Sequence, residues 1–193
     1  MLLSHDQLLN LIDRGVIENA HPDLVNAASI DLTLGAELLI EDHPRWNNCV
    51  DLTQKQAPGM RPVSMDDSGY YLSPRQFVLA QTQQRFNLPN DISAEFKLKS
   101  SVARAGLNHL LAGWCDAGWH GSVLTLELHN VTERHNLMLK PGMKIGQVIF
   151  YQHAPVSDDA SYAARGRYNG NAAVTASAGV DAVGELIQDL STL

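Results

Sequence analysis

Apolar positions along this chain change period once. In SHDQLLNLIDRG, residues 4–15, Leu8, Leu9, Leu11 and Ile12 recur at helical spacing, Ser4 and Gln7 make a capping-box pair, and Gly15 supplies a stop. That pattern predicts a short N-terminal helix. From residue 28 onward the period is two, in short runs bounded by turn residues: ASIDLTLG, AELLIE, GYYL, QFVLAQT, ISAEFKL, SVLTLEL and KIGQVIFY. The fold class expected is therefore all-β, a barrel or a sandwich. Two stretches break the alternation. SSVARAGL, residues 100–107, reads as a helical turn, and VDAVGELIQDL, residues 180–190, as a small amphipathic C-terminal helix. Between them SYAARGRYNGNAAV, residues 161–174, is small, glycine-containing and basic, which predicts a mobile segment.

Composition narrows the class. At 193 residues, with no linker-like run dividing them, the chain is expected to build one domain over residues 1–193. Its 45% hydrophobic and 18% charged residues are those of a globular protein, and its apolar runs fall short of the ~20 residues that span a bilayer. Membrane insertion is not expected. The start MLLSHDQLLN lacks a basic n-region and a cleavage site, so a cytoplasmic location is expected, and two cysteines suit it. A net charge of −7 argues against a nucleic-acid surface, whereas a small phosphorylated ligand needs only a few local cations or backbone amides.

Eight histidines raise the question of zinc. Zinc-dependent nucleobase deaminases use H-x-E with a downstream P-C-x-x-C, and this chain has no C-x-x-C. The histidines read as surface or half-buried residues. In KSSVAR, residues 99–104, Ser100 or Ser101 at the start of a helical turn, with Lys99 and Arg104, would make an anion site, but taken alone the stretch reads better as an ordinary serine cap flanked by two solvated cations. In AGWCDAGWHG, residues 112–121, Asp116 sits among glycines and aromatics. Composition does not decide between a turn packed by Trp114 and Trp119 and a pocket that meets a sugar or base. The sharpest feature lies in GSVLTLELHN, residues 121–130. Alternation turns Leu124, Leu126 and Leu128 one way and Thr125, Glu127 and His129 the other. Glu127 then either lies on an outer, wet face or is buried with a partner, for which Arg104 is the natural candidate.

Taken in order, these segments resemble the dCTP deaminase branch of the trimeric dUTPase-like superfamily. ASIDLTLG is similar to its first nucleotide-binding motif, KSSVARAGL to the second, AGWCDAGWHG to the third, PGMKIGQVIF to the fourth, and GRYNGN, residues 166–171, to the closing segment; the likeness covers most of residues 1–175. The resemblance implies a distorted dUTPase-like β-barrel with a short N-terminal helix and a small C-terminal helix. It also implies a homotrimer with active sites at subunit interfaces, and a deoxynucleoside triphosphate, dCTP, bound with magnesium carried by the triphosphate. Residues 161–193 are then the closing segment and C-terminal helix.

The same resemblance assigns roles. Glu127 matches the deaminase glutamate and faces a pyrimidine; as general base it takes a proton from the water that attacks C4 and returns it toward N3 and the leaving amine, without zinc. Burial would raise the pKa of such a carboxylate, and Arg104 would hold it in check. Ser100 corresponds to the serine that orients water and glutamate. Ser101, Gln147, Tyr162 and Arg167 match triphosphate-binding positions, with Lys99 where many members have Arg. Asp116 matches the third-motif aspartate near the sugar or the dUTPase water, Trp119 adds an aromatic wall, and Asn171 stands where the closing segment usually has Gln. The run from Arg104 to Asp116 is one residue shorter than the usual pattern and the Glu127 strand one longer. The leading expectation is hydrolysis of dCTP to dUTP and ammonia. The Gly-Trp before CD resembles bifunctional members that continue to dUMP and pyrophosphate; dUTPase activity alone and a catalytically silent nucleotide-binding regulator are further alternatives.

Overall fold

The computed structural model describes residues 1–42 and 49–180. The helix expected over residues 180–190 lies, from residue 181 on, outside the described residues. Helix α1, His5–Asp13, starts where the capping pair places it: the Ser4 backbone N–H donates to Gln7 Oε1 at 3.0 Å. It ends at Gly15, whose φ of +69° is the left-handed geometry that closes a helix at little steric cost. Leu8 and Leu11 are its buried face.

Eleven strands follow among the described residues: β1 Ile17–Glu18, β2 Ile30–Glu41, β3 Met60–Ser64, β4 Tyr70–Leu72, β5 Phe77–Asn87, β6 Ile92–Leu98, β7 Leu107–His109, β8 Trp114–Cys115, β9 His120–Asn130, β10 Leu137–Leu139 and β11 Lys144–Gln152. A short helix, α2 Ser100–Arg104, lies between β6 and β7, and another, α3 Tyr162–Arg165, follows β11. ASIDLTLG and AELLIE, distinct runs in sequence, are one bulged strand, β2.

The main sheet runs β7-β9-β5-β2-β11-β6-β8, with β1 against β5 and β3 against β2. Its two edge strands are sequence neighbours. From His109 to Trp114 the chain takes five steps, which reach at most ~18 Å, whereas seven flat strands at ~4.8 Å spacing would set the edges about 29 Å apart. The sheet must curl. Phe96 of β6 meets the ring of His109 of β7 at 4.6 Å across the near-closed seam. This is the distorted barrel that the period-two pattern and the motif order predict. Leu34, Val78, Phe86, Leu126, Leu128, Val148 and Phe150 fill its interior.

Candidate active site

Strand β9 keeps the alternation read from its sequence: Leu124, Leu126 and Leu128 are buried, while Thr125, Glu127 and His129 are half-buried on the opposite face. That face is not an open surface. Residues 168–177 lie across it and leave a cleft of about 480 Å³, into which Glu127, Asp116, Trp119, Tyr162 and Asn171 all come. Phe77 and Leu79 of β5 form an apolar wall of the same cleft.

The Glu127 carboxylate has a different neighbour from the one expected. His109 Nε2 stands 3.1 Å from Glu127 Oε2, with the two side chains 5% and 25% exposed. Both atoms are shielded from solvent, and they do not align as a hydrogen bond. Arg104 is exposed on α2, which enters β7 at its Leu107↔Asn130 end, while Glu127 lies beside Leu110 at the other. The pairing of β7 with β9 thus brings His109 to the carboxylate and leaves Arg104 outside the cleft. His109 also corrects the reading of the histidines as surface or half-buried.

Asp116 follows β8 and opens a turn in which Trp119 N–H donates to its carbonyl. Its Oδ1 accepts from the Trp114 indole at 2.8 Å. Trp119 stacks on Phe86 with centroids 5.3 Å apart and donates its indole N–H to Tyr168 O at 2.9 Å, so one aromatic ties the wall of the cleft to the tail above it. Cys115 also lines the cleft, but burial, with the nearby Asp116 charge, pushes its thiol up to about 12. It is a neutral packing group at physiological pH. Burial likewise raises the Tyr162 hydroxyl, which accepts from the Tyr168 backbone N–H.

The segment expected to be mobile is tied down along β9 and β5. Asn171 N–H donates to Ser122 Oγ and its carbonyl accepts from Val123 N–H; Val174 N–H donates to Gln81 Oε1 at 2.6 Å and Thr175 N–H to Thr125 Oγ1 at 3.4 Å. Arg167 Nη1 donates to Gly179 O at 2.6 Å, a bond that shapes the tail.

The remaining predicted residues form a second cluster. Lys99, Ser100, Ser101, Arg104 and Gln147 do not line the Glu127 cleft. Ser100 is the first residue of α2 rather than its cap; Lys99 holds the cap position, and both serines are exposed. Lys99 Nζ meets Asp31 Oδ1 at 2.6 Å and Lys144 Nζ meets Oδ2 at 3.0 Å, with Asn26 Nδ2 at 2.9 Å from Oδ1. Burial pushes Asp31 up, and the bonds from Lys99, Lys144 and Asn26 outweigh it, leaving the carboxyl below its ordinary 3.8. Two ammonium groups on one carboxylate leave a positive charge in surplus, beside Gln147, whose Oε1 accepts from Ser29 Oγ at 3.3 Å. Nothing in ASIDLTLG alone marks Asp31 as the centre of this cluster. Among the described residues no group of three or more His, Cys, Asp or Glu side chains comes together as a metal site, and no helix is long and apolar enough to cross a membrane.

Comparison with known proteins places this geometry. Residues 2–153 match the family model described as dCTP deaminase-like. The chain belongs to the dCTP deaminase-like family. Within it, the chain is similar to the "dCTP deaminase, dUMP-forming" of Persephonella marina, 33% identical over 180 residues, covering 92% of this chain and 96% of that one. It is similar also to the protein of the same description from Thermobifida fusca, 37% identical over 156 residues, covering 79% and 78%. The crystal structure of 2'-deoxycytidine 5'-triphosphate deaminase from Agrobacterium tumefaciens superposes with a TM-score of 0.60 at 20% identity, over 77% of this chain and 48% of that one. That likeness concerns the fold alone. As a member of this family the chain is an enzyme.

Proposed function

We propose that this family member is a dUMP-forming dCTP deaminase, which releases ammonia from dCTP and then cleaves the triphosphate to dUMP and pyrophosphate. The description shared by both relatives favours this product over dUTP, the leading expectation from sequence, and the Gly-Trp before Asp116 points the same way. The observation that carries the reading is the division of the motif residues into two clusters on one chain. The Glu127 cleft holds the groups suited to a base and sugar, with Asp116 and Tyr162 on its phosphate side, while the Ser100–Arg104 helix and the Lys99–Gln147 locus hold further groups suited to phosphates, outside that cleft. Apposing two copies, as in a homotrimer with interfacial sites, would unite them.

In this mechanism Glu127 accepts a proton from the water that attacks C4, then delivers protons to N3 and the departing amine. His109 faces the carboxylate from its own subunit; Ser100 and Arg104 reach it from a neighbour. Lys99, Ser101, Gln147, Tyr162 and Arg167 serve the triphosphate, and Trp119 and Asn171 serve the base side of the cleft. Asp116 takes the proton of the second water, at the α-phosphorus. Magnesium, a hard cation content with phosphate oxygens, water and a carboxylate or two, needs no preformed protein cage and would enter with the nucleotide, where it would neutralise phosphate charge. End-point product analysis of dCTP with magnesium tests the reading. Ammonia with dUMP and pyrophosphate is the expected result; ammonia with accumulating dUTP would restrict the enzyme to deamination.

A further inference from the structure

Trp114 is 56% exposed, an expensive position for a large ring that covers no core. Its placement is nevertheless built. Strand β8 pairs with β6 through Glu95↔Trp114, and Phe96 N–H donates to Gly113 O at 2.7 Å. A Cβ on residue 113 would lie 2.7 Å from Phe96 O, so only glycine admits this approach. The indole leans on Tyr151, with centroids 6.0 Å apart, and the Tyr151 hydroxyl donates to Glu95 Oε2 at 3.2 Å. From this rigid seat Nε1 donates to Asp116 Oδ1. Asp116 Oδ2 accepts no hydrogen bond from the described residues.

We propose that Trp114 is a positioning residue for the second reaction: it locks the Asp116 carboxylate so that Oδ2 is presented to the water that attacks the nucleotide α-phosphorus. This rests on the dUMP-forming reading above. In that step the water oxygen bonds to the α-phosphorus, the bond from phosphorus to the α,β-bridging oxygen breaks, pyrophosphate leaves with the electron pair, and Oδ2 takes the water proton. An indole suits the task because it is a donor without charge. It orients the carboxylate without placing a charge beside it, whereas an arginine would orient it and, as a cation, weaken it as a base.

The test supplies dCTP, and separately dUTP, with magnesium to the full-length enzyme, and reads dUMP formed per ammonia released from dCTP and the rate of dUMP formation from dUTP. Trp114→Phe keeps the ring and removes the donor; the ratio is expected to fall about 10- to 100-fold, the loss for one hydrogen bond to a charged group. Trp114→Arg is expected to lower the ratio too and to move the acidic limb of the dUTP-hydrolysis pH profile to lower pH, which a merely structural role would not do. A Trp114→Phe enzyme with the wild-type ratio, or a Trp114→Arg enzyme with an unmoved acidic limb, overturns the inference alone. Wild-type enzyme that stops at dUTP overturns the dUMP-forming reading beneath it.

Discussion

Glu127 Oε2 and His109 Nε2 lie 3.1 Å apart, both shielded from solvent, and among the described residues neither has a hydrogen-bond partner. Removing the imidazole takes away the group that faces this shielded carboxylate oxygen. His109→Leu is therefore expected to lower ammonia release from dCTP by tenfold or more while Glu127→Gln abolishes it, both with native circular dichroism. Wild-type turnover in Glu127→Gln would remove that residue from its role. Asp31 gives a pH-dependent prediction. Its folded pKa is depressed, so its contribution to stability is present above the ordinary 3.8 and is lost as pH falls through the lower folded value. Asp31→Asn leaves two ammonium groups facing each other and is expected to lose about 1–3 kcal/mol at pH 7 in urea unfolding. The difference between variant and wild type should shrink below about pH 4. Cysteine chemistry makes a third test: at pH 8 the exposed Cys49 should alkylate in the native protein and the buried Cys115 only in denaturant.

Long strands declared themselves in the sequence because their period persists: β2, β5, β6, β9 and β11 each bury alternate residues over several repeats. Strands β1, β7, β8 and β10 have two or three residues, too few to carry a period, and β3 contains Pro62, which is at home on the edge strand it forms. Those short strands set the details of the site. Glu127 was legible as a carboxylate among leucines, but its partner depends on the register of three-residue β7, and sequence proximity pointed to Arg104 instead. A signal for His109 did exist, a histidine between Leu107 and the paired Leu110-Leu111. The tail is a further case, since backbone donors from Asn171, Val174 and Thr175 find side-chain acceptors on β9 and β5 that no local pattern reveals. Truncation after Ser161 would strip these bonds and the Tyr168 acceptor of Trp119, and is expected to weaken dCTP binding at least tenfold in calorimetry. Unchanged affinity in the folded truncation would show that the tail does not close over the ligand.

At the scale of the molecule, the sequence-predicted residues fall into two groups on one barrel, those that line the Glu127 cleft and those that lie outside it. Edge strand β8 lines the Glu127 cleft and edge strand β7 brings His109 to Glu127, whereas Asp31 of β2 meets Lys99, just after β6, and Lys144 of β11, with α2 between β6 and β7. In the proposed reading the two groups meet across an interface between two copies. Exposed Leu110 and Leu111 beside the cleft supply apolar surface on which such a copy could rest. Complementation distinguishes an interfacial site from a self-contained one. Glu127→Gln and Arg104→Ala are each expected to be inactive alone. In oligomers reassembled from equal amounts of the two, a site needs Glu127 from an Arg104→Ala chain and Arg104 from a Glu127→Gln neighbour, so about a quarter of the sites recover both residues. Ammonia release near a quarter of the wild-type rate is the expected outcome, and none at all would place the whole site within one subunit.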